Sequence, residues 1–200
     1  MSIVLMVRFG DFEAILTGDA TTATGRASRA QYPADLVSLQ QEIHMEEHIT
    51  ARIFSKRYRF ADWPNPRVPM IAAGVYAIWQ GDRLIYCGMS GRSIENQGTK
   101  AGKKYGLVTR LNSHASGRLS GDQFCVYVAN RIIIPNLQVS LLPKFESGDL
   151  TLDKLTKDYI RQNFEYQFSV VSTSEEAYEL ERLGRSGKTF GLKPFLNPGR

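Results

Sequence analysis

Two tyrosines ten residues apart are the side chains of this chain that most clearly suggest chemistry. Tyr76 ends the triplet Gly-Val-Tyr at 74–76, and Tyr86 begins the triplet Tyr-Cys-Gly at 86–88. Both triplets lie in short apolar runs, and Gln-Gly-Asp at 80–82 is typical of a turn, so the segment predicts a β-hairpin. With a three-residue loop, Tyr76 lies opposite Tyr86, and two phenol hydroxyls share one face of a sheet.

The length of this loop decides whether the two phenols can act together. A two-residue loop would place one tyrosine on the other face, because a shift of one residue in register exchanges the faces of a strand. Ordinary strand tyrosines are the alternative interpretation of the hairpin taken alone. The segments that follow in the chain favour a functional pair.

Arg110 and His114 lie four residues apart in a segment whose apolar residues predict a helix. At that spacing their side chains are neighbours on one helical face. A guanidinium is permanently charged and suits a non-bridging phosphate oxygen, and a histidine titrates near neutral pH. The alternative is that Arg110 is an ordinary solvated helix residue. Only the other candidate site residues in the sequence favour a functional role for it.

A second helix is predicted near the C-terminus, where Thr-Ser-Glu-Glu at 173–176 matches a capping box. This helix carries Glu181, and Gly184 or Gly187 is positioned to end it. On a helical wheel Glu179 and Glu181 lie about equally far from the apolar stripe. Spacing therefore does not choose between the two carboxylates.

Taken in order, these elements resemble the GIY-YIG nuclease superfamily, and the resemblance covers about residues 70–198. The family pattern is a GIY-type strand, a YIG-type strand, an arginine with a histidine four residues on, a helix with a glutamate, and a terminal Lys-Pro-x-x-Asn element. The segment between the second triplet and the arginine is longer here than in compact members. The matching residues are Gly74, Val75, Tyr76, Tyr86, Cys87, Gly88, Arg110, His114, Glu181 and Asn197.

The resemblance implies a metal-dependent endonuclease that hydrolyses phosphodiester bonds of DNA, with double-stranded DNA as the expected substrate. It favours Glu181 over Glu179 as the ligand of one Mg²⁺ or Mn²⁺ ion. A single carboxylate is sufficient, because Mg²⁺ often takes one or two carboxylates together with waters and substrate phosphate. The catalytic residues that the resemblance implies are Tyr76, Tyr86, Arg110, His114, Glu181 and Asn197.

In that reading Tyr76 is the general base or water-positioning group, and His114 is the rival base. The reference pKa of a phenol is about 10, so Tyr76 needs the help of Arg110 or a metal-bound water to accept a proton at neutral pH. Asn197 would position backbone or substrate by hydrogen bonding. Standing before a proline, Asn197 could equally be a turn residue.

The positive charge of the chain fits a nucleic-acid substrate. The net charge is +5, the isoelectric point is about 9.2, and seven basic residues against one acidic residue fall between 83 and 118. Clustered positive charge supplies phosphate affinity that is independent of base sequence. The glycine-rich segment 91–106 is expected to be a phosphate-contacting flap, with a floppy insertion as the alternative. The predicted nucleic-acid contacts are Arg92, Lys100, Lys103, Lys104, Arg118, Arg182, Arg185 and Lys188.

Two other function classes stay open. A non-catalytic nucleic-acid-binding module that keeps the fold would bind phosphate without any effect of Mg²⁺ or of Glu181. A protein-interaction domain built around an N-terminal hairpin would show no affinity for nucleic acid at low salt.

The expected fold is α/β, a small GIY-YIG-like domain whose central antiparallel sheet of three or more strands is flanked by helices. We expect an N-terminal hairpin and helix extension at 1–62, a proline-rich connector at 63–69 and the nuclease-like domain at 70–200. Beyond the catalytic hairpin, 123–129, 131–134 and 166–171 predict strands, and 150–163 predicts a helix.

The N-terminal extension contains two partial metal-site patterns, and neither is complete enough to predict a metal site. Strands at 2–9 and 12–17 lead into Thr-Gly-Asp-Ala, which resembles a fragment of the metallo-β-lactamase fold. The histidine-rich motif of that fold is absent from a chain with three histidines, so Asp19 should not form a dinuclear centre. His44 and His48 are four residues apart, but solvated positions on an amphipathic helix are the favoured interpretation.

Two cysteines in apolar runs predict buried reduced thiols and a cytoplasmic protein. The apolar start at 1–9 is too short for a membrane span and lacks the layout of a signal peptide, so no membrane association is expected. The protein is expected to be a monomer or a homodimer.

Overall fold

In a computed structural model of the chain, residues 54–92, 94 and 104–197 are described in full, and strands 3–9 and 12–18 are described by their backbone. The chain divides into two compact units, Met1–Gln40 and Gln41–Arg200. In the first, β1 (Ile3–Phe9) pairs antiparallel with β2 (Phe12–Gly18), which confirms the predicted hairpin. Asp19, His44, His48 and the predicted helix of the extension lie outside the described residues.

The second unit is built on a five-stranded sheet. Its strands are β3 (Tyr58–Arg59), β4 (Ile71–Gln80), β5 (Arg83–Ser90), β6 (Tyr105–Gly106) and β7 (Glu165–Val171). Four of them pair antiparallel in the order β3-β7-β4-β5, and β6 adds a short parallel pairing at the start of β4. The predicted antiparallel sheet of three or more strands is therefore confirmed.

Helices flank this sheet. They are α1 (Leu107–Ser116), α2 (Gln123–Val128), α3 (Leu142–Glu146), α4 (Leu152–Asn163) and α5 (Ser174–Ser186). Tyr76 and Ile78 of β4 belong to an apolar cluster with residues of α1, α2 and α4, whereas Val75 belongs to a different cluster with residues of α5. Successive side chains of a strand point to opposite faces, so both faces of β4 are covered and nearly the whole strand is buried.

Helix α4 confirms the helix predicted at 150–163, and β7 confirms the strand predicted at 166–171. The ends of α5 also follow the sequence. The Thr173 hydroxyl accepts a hydrogen bond from the Glu176 amide at 3.1 Å, and of the two candidate glycines Gly187 ends the helix, at φ 91°.

The strands predicted at 123–129 and 131–134 are wrong, because this region is helical. It forms α2 and continues through a wide helical turn, Ala129–Ile133, and a 3-10 turn, Ile134–Asn136. Phe124 and Val128 are buried four residues apart on one helical face. Burial of that face outweighs the strand propensity of the aromatic and β-branched residues.

The segment predicted as a connector packs on the sheet rather than running free of it. Trp63 and Val68 are buried in the main core, and the Trp63 indole donates a hydrogen bond to Asn112 of α1 at 3.0 Å. The Asn65 amide donates to the Tyr166 hydroxyl of β7 at 3.0 Å. This segment thus helps to hold α1 against the strands.

Among the described helices, no single one has both the length and the apolar character needed to cross a membrane. One pair, Gln123–Asn136 and Val139–Glu146, passes that test only when its two helices are taken together across a bend of 111°.

Candidate functional site

The hairpin that carries the two tyrosines has a shorter loop than predicted. Gln80 pairs with Arg83, so the loop has two residues, and Tyr76 lies opposite Gly88. The predicted pairing of Tyr76 with Tyr86 is therefore wrong. Tyr86 lies opposite Ile78, two positions along the strand.

A β-bulge restores the shared face that the shorter loop would have removed. Ile78 pairs with Tyr86, but its neighbour Trp79 pairs with Leu84, which leaves Ile85 as an extra residue in β5. This insertion offsets the one-residue change in loop length. The Tyr76 and Tyr86 rings consequently stack with centroids 6.3 Å apart and planes 28° apart.

Both glycines of the two triplets are required by close packing. A Cβ atom on Gly88 would lie 2.5 Å from the Tyr76 hydroxyl and 2.9 Å from the Tyr86 ring. A Cβ atom on Gly74 would lie 2.1 Å from the Ser169 carbonyl oxygen of β7. Because glycine has no Cβ atom, Gly88 leaves room for the two phenol rings, and Gly74 lets β7 approach β4 closely.

Tyr76 is one end of a buried chain of three hydrogen-bonded polar side chains. Its hydroxyl lies 2.8 Å from Nε2 of His114, and Nδ1 of His114 lies 2.7 Å from Oδ2 of Asp122. All three residues are at most 2 % exposed. Helix α1 supplies the histidine, and the residue just before α2 supplies the carboxylate.

Sequence reasoning did not identify Asp122. Its Oδ1 atom accepts hydrogen bonds from the backbone amides of Phe124 at 3.0 Å and Cys125 at 3.2 Å, so Asp122 is the N-cap of α2. The signal that could have found it is an aspartate directly before an apolar run. That run was predicted to be a strand, and a strand needs no cap.

Electrostatics keep Asp122 charged. Burial raises the pKa of its carboxyl. The hydrogen bond and electrostatic attraction of His114 lower the pKa, as do hydrogen bonds from Ser113 and the Cys125 amide, and together these effects outweigh burial. The net effect lowers the pKa from the ordinary value of 3.8 to about 2. Asp122 is therefore an ionised hydrogen-bond acceptor across the neutral pH range.

This lowered pKa predicts a contribution to acid stability. The stabilisation is fully present above the unfolded pKa of 3.8 and is lost as the pH falls through the folded pKa of about 2. Linkage puts it at about 2 kcal/mol. We expect urea unfolding between about pH 5 and pH 2 to show a steeper loss of stability for wild type than for Asp122→Asn, which cannot titrate there. Equal pH dependence in the two proteins would contradict the assignment.

The two tyrosines differ in their surroundings. Burial, and secondarily Tyr86, raise the pKa of Tyr76 well above 10, while Arg110 acts in the opposite direction. Burial, and secondarily Glu181, raise the pKa of Tyr86 to about 12, with Arg185 and Arg110 opposing. Both phenols are therefore protonated at neutral pH, and Arg110 and Glu181 lie within electrostatic range of the pair.

The structure contains a cleft of about 690 Å³ whose lining includes Arg110 and Glu181 but neither Tyr76 nor Tyr86. It is formed where the end of β5 meets α1 on one side and α5 on the other. Tyr178, Glu181 and Arg185 follow one stripe of α5, at i, i+3 and i+7, and all three line the cleft. The charged residues of its wall are Arg92, Arg110, Glu181 and Arg185.

The structure distinguishes Glu181 from Glu179, which helical spacing alone could not do. The Glu181 side chain is 16 % exposed, with Oε1 3.6 Å from a guanidinium nitrogen of Arg185. The Glu179 side chain is 51 % exposed and accepts a hydrogen bond from Arg182 at 2.9 Å. Only Glu181 faces the cleft.

The predicted nucleic-acid contacts fall into three groups. Arg92 and Arg185 line the cleft. Lys100, Lys103 and most of the predicted flap lie outside the described residues. The remaining side chains are exposed without lining the cleft, and these are Lys104, Arg118, Arg182 and Lys188.

Asn197 is bound to the backbone of β5 and does not line the cleft. Its side-chain oxygen accepts from the Cys87 amide at 2.8 Å, and its side-chain nitrogen donates to the Cys87 carbonyl at 2.9 Å. Two more amides of this segment, those of Phe195 and Leu196, donate to carbonyls of β5. Of the two predicted roles, positioning of backbone is the one that these contacts support.

The described residues contain no group of three or more histidine, cysteine, aspartate or glutamate side chains arranged to hold a metal ion. The donors present fit a different arrangement. Glu181 is one carboxylate on the polar wall of an open cleft, where waters and substrate phosphate could complete the shell that Mg²⁺ requires.

No family model, curated protein or solved structure matches the chain.

Proposed function

We propose that the protein is a metal-dependent endonuclease that hydrolyses phosphodiester bonds of DNA, in the manner of the GIY-YIG nucleases that its sequence resembles. The proposal includes the GIY-YIG-like topology of the second unit, a cytoplasmic location and double-stranded DNA as substrate. The observation that carries it is a cleft with three arginines and one carboxylate on its wall, of which Arg110 acts electrostatically on both stacked tyrosines and Glu181 acts on Tyr86.

The arginines suit the charge that develops during the reaction. A phosphodiester is anionic, and its transition state carries more charge on the non-bridging oxygens. Arg110 lies on the cleft wall and can place a forked pair of donors on one such oxygen. Arg92 and Arg185 add positive charge to the cleft wall, where they could contact further phosphates of the DNA backbone.

Glu181 would hold the divalent cation, which when bound stabilises charge on the phosphate and orients it. A guanidinium nitrogen of Arg185 lies 3.6 Å from Oε1 of Glu181, and both side chains line the cleft.

Tyr76 would take a proton from the attacking water. The water oxygen forms a bond to phosphorus, the bond to the 3′ oxygen breaks, and the proton moves toward the phenol oxygen. A protonated phenol cannot accept it without losing its own proton. His114, 2.8 Å from the Tyr76 hydroxyl, is the group in place to receive that proton.

Cleavage of supercoiled plasmid tests the proposal. We expect wild type to nick or linearise plasmid only with Mg²⁺ or Mn²⁺ present. Tyr76→Phe should lower the single-turnover rate by roughly 10²-fold or more, since it removes the proton-transferring hydroxyl. Arg110→Ala should lower the rate by roughly 10²-fold through loss of charge stabilisation.

Arg59→Ala is the matched control for Arg110→Ala, because Arg59 is exposed, does not line the cleft and is not among the predicted nucleic-acid contacts. It should retain the wild-type rate. Metal-dependent cutting that survives Tyr76→Phe and Arg110→Ala would contradict the assignment of these residues. No cutting by wild type under any of these conditions would contradict the nuclease function itself.

A non-catalytic nucleic-acid-binding module is the second candidate, and one observation favours it. The Tyr76 hydroxyl is buried and its pKa is raised, as for a tyrosine that serves structure alone. Such a module would bind duplex DNA with an affinity that falls as salt rises. That affinity would be the same with and without Mg²⁺ and in Glu181→Gln.

A further inference from the structure

The two oxygens of the Asp122 carboxylate have separate tasks. Oδ1 caps α2 through two backbone amides, and Oδ2 contacts Nδ1 of His114 at 2.7 Å. The cap anchors the carboxylate to the backbone, so Oδ2 has a fixed position beside the imidazole. Both groups are nearly inaccessible to solvent, with His114 1 % and Asp122 2 % exposed.

An ionised carboxylate can only accept hydrogen bonds, so the contact with Asp122 requires a proton on Nδ1 of His114. In the neutral imidazole Nε2 then carries no proton and is an acceptor. The group that Nε2 meets is the Tyr76 hydroxyl at 2.8 Å, which is a donor. The hydrogen bonds therefore run in one direction, from Tyr76 to His114 and from His114 to Asp122.

We infer that Asp122 is a positioning residue that fixes the tautomer of His114, so that Nε2 receives the proton of the Tyr76 hydroxyl. In that transfer the O–H bond of Tyr76 breaks, an N–H bond forms at Nε2, and an imidazolium faces the Asp122 carboxylate. The phenolate left on Tyr76 is then the base that accepts a proton from water. The catalytic consequence rests on the proposed nuclease function, whereas the tautomer does not.

Asp122→Asn separates the two tasks of the carboxylate. The asparagine oxygen can still cap α2, because asparagine is as good an N-cap as aspartate. Its NH₂ group must then face Nδ1 of His114 and donate to it, which moves the ring proton to Nε2. A protonated Nε2 points a donor at the Tyr76 oxygen, so His114 no longer accepts the phenol proton. The variant thus keeps the helix and reverses the hydrogen-bond direction.

A long-range ¹H–¹⁵N correlation spectrum of the imidazole rings tests the tautomer directly. The chain has three histidines, so the His114 signals can be assigned by comparison with His114→Gln. We expect Nδ1–H with a bare Nε2 in wild type and the reverse in Asp122→Asn. A wild-type ring that carries its proton on Nε2, or on both nitrogens at about pH 8, would overturn the inference.

Single-turnover cleavage tests the consequence. We expect Asp122→Asn to lower the rate by roughly 10²-fold or more while leaving the DNA dissociation constant within about twofold. The control is Thr151→Ala, which removes the side-chain cap of α4 and does not touch His114. It should cleave at the wild-type rate. A reversed tautomer with an unchanged rate would overturn the positioning role.

These outcomes are distinguishable from failure of the proposed function. If wild type cuts no DNA, the nuclease proposal fails, and the spectrum still decides the tautomer. If Asp122→Asn does not fold, the wild-type spectrum alone decides the direction of the hydrogen bonds.

Discussion

Glu181→Gln should abolish metal-dependent DNA cleavage, whereas Glu179→Gln should leave it intact. The two residues lie on the same helix and carry the same group, but only Glu181 faces the cleft that Arg110 and Arg185 also line. Under the proposed function, loss of the carboxylate would remove the protein ligand of the cation, and a catalytic cation contributes several kcal/mol of charge stabilisation. We expect a loss of roughly 10³-fold or more in the single-turnover rate, since about 1.4 kcal/mol corresponds to tenfold.

Glu179→Gln is a matched control, because it removes a charge of the same sign two residues away. The Glu179 side chain is 51 % exposed and pairs with Arg182, so its effect on stability should be small. Titration with Mn²⁺ adds a second measurement. Glu181→Gln should show a weakened response to the ion, and Glu179→Gln should match wild type. Equal losses of activity in both variants would contradict the assignment of Glu181.

The sequence predicted that Tyr76 and Tyr86 share a face, but for the wrong reason. Apolar runs on both sides of a turn identify a hairpin, and they do not fix its loop length. The register depends on Leu84 and Ile85, consecutive residues of β5 that are both buried, in two different apolar clusters. A bulge lets both enter a core. That choice is made by packing on both faces of the sheet, which no local pattern reports.

The candidate site shows the same division between local and tertiary information. The spacing of Arg110 and His114 predicted a shared helical face, and both lie on α1. Their different surroundings could not be predicted from this spacing, since Arg110 is exposed and lines the cleft, whereas His114 is buried and does not line it. Asp122 was missed because the composition of the next segment favours a strand when tertiary contacts are ignored.

The choice between Glu179 and Glu181 also needed the packing of α5. Gly184 brings this helix onto β5, where an added Cβ atom would lie 2.5 Å from the sulfur of Cys87. That contact, together with buried Ala177, sets the rotation of the helix about its axis. The stripe containing Glu181 then faces the cleft. A helical wheel drawn from sequence gives the angle between the two glutamates but not the direction in which either points.

Gly74→Ala should be strongly destabilising, with an expected loss of about 3 kcal/mol in the free energy of unfolding. The added Cβ atom would lie 2.1 Å from the Ser169 carbonyl oxygen and 2.7 Å from Cδ1 of Leu107. The first neighbour is backbone of β7 and cannot rotate away. The second begins α1, which carries Arg110 and His114, so the overlap displaces the strand pairing and the site helix together.

Gly81→Ala provides the control for loss of a glycine from the same hairpin. Gly81 has φ 55°, and an added Cβ atom would meet nothing within 4 Å, so that variant carries only the backbone cost of about 1 kcal/mol. Urea unfolding of both variants measures the difference, which isolates the overlap at Gly74. If Gly74→Ala is no less stable than Gly81→Ala, then β7 and α1 do not approach β4 as closely as the structure places them, and the position of His114 beside Tyr76 loses its support.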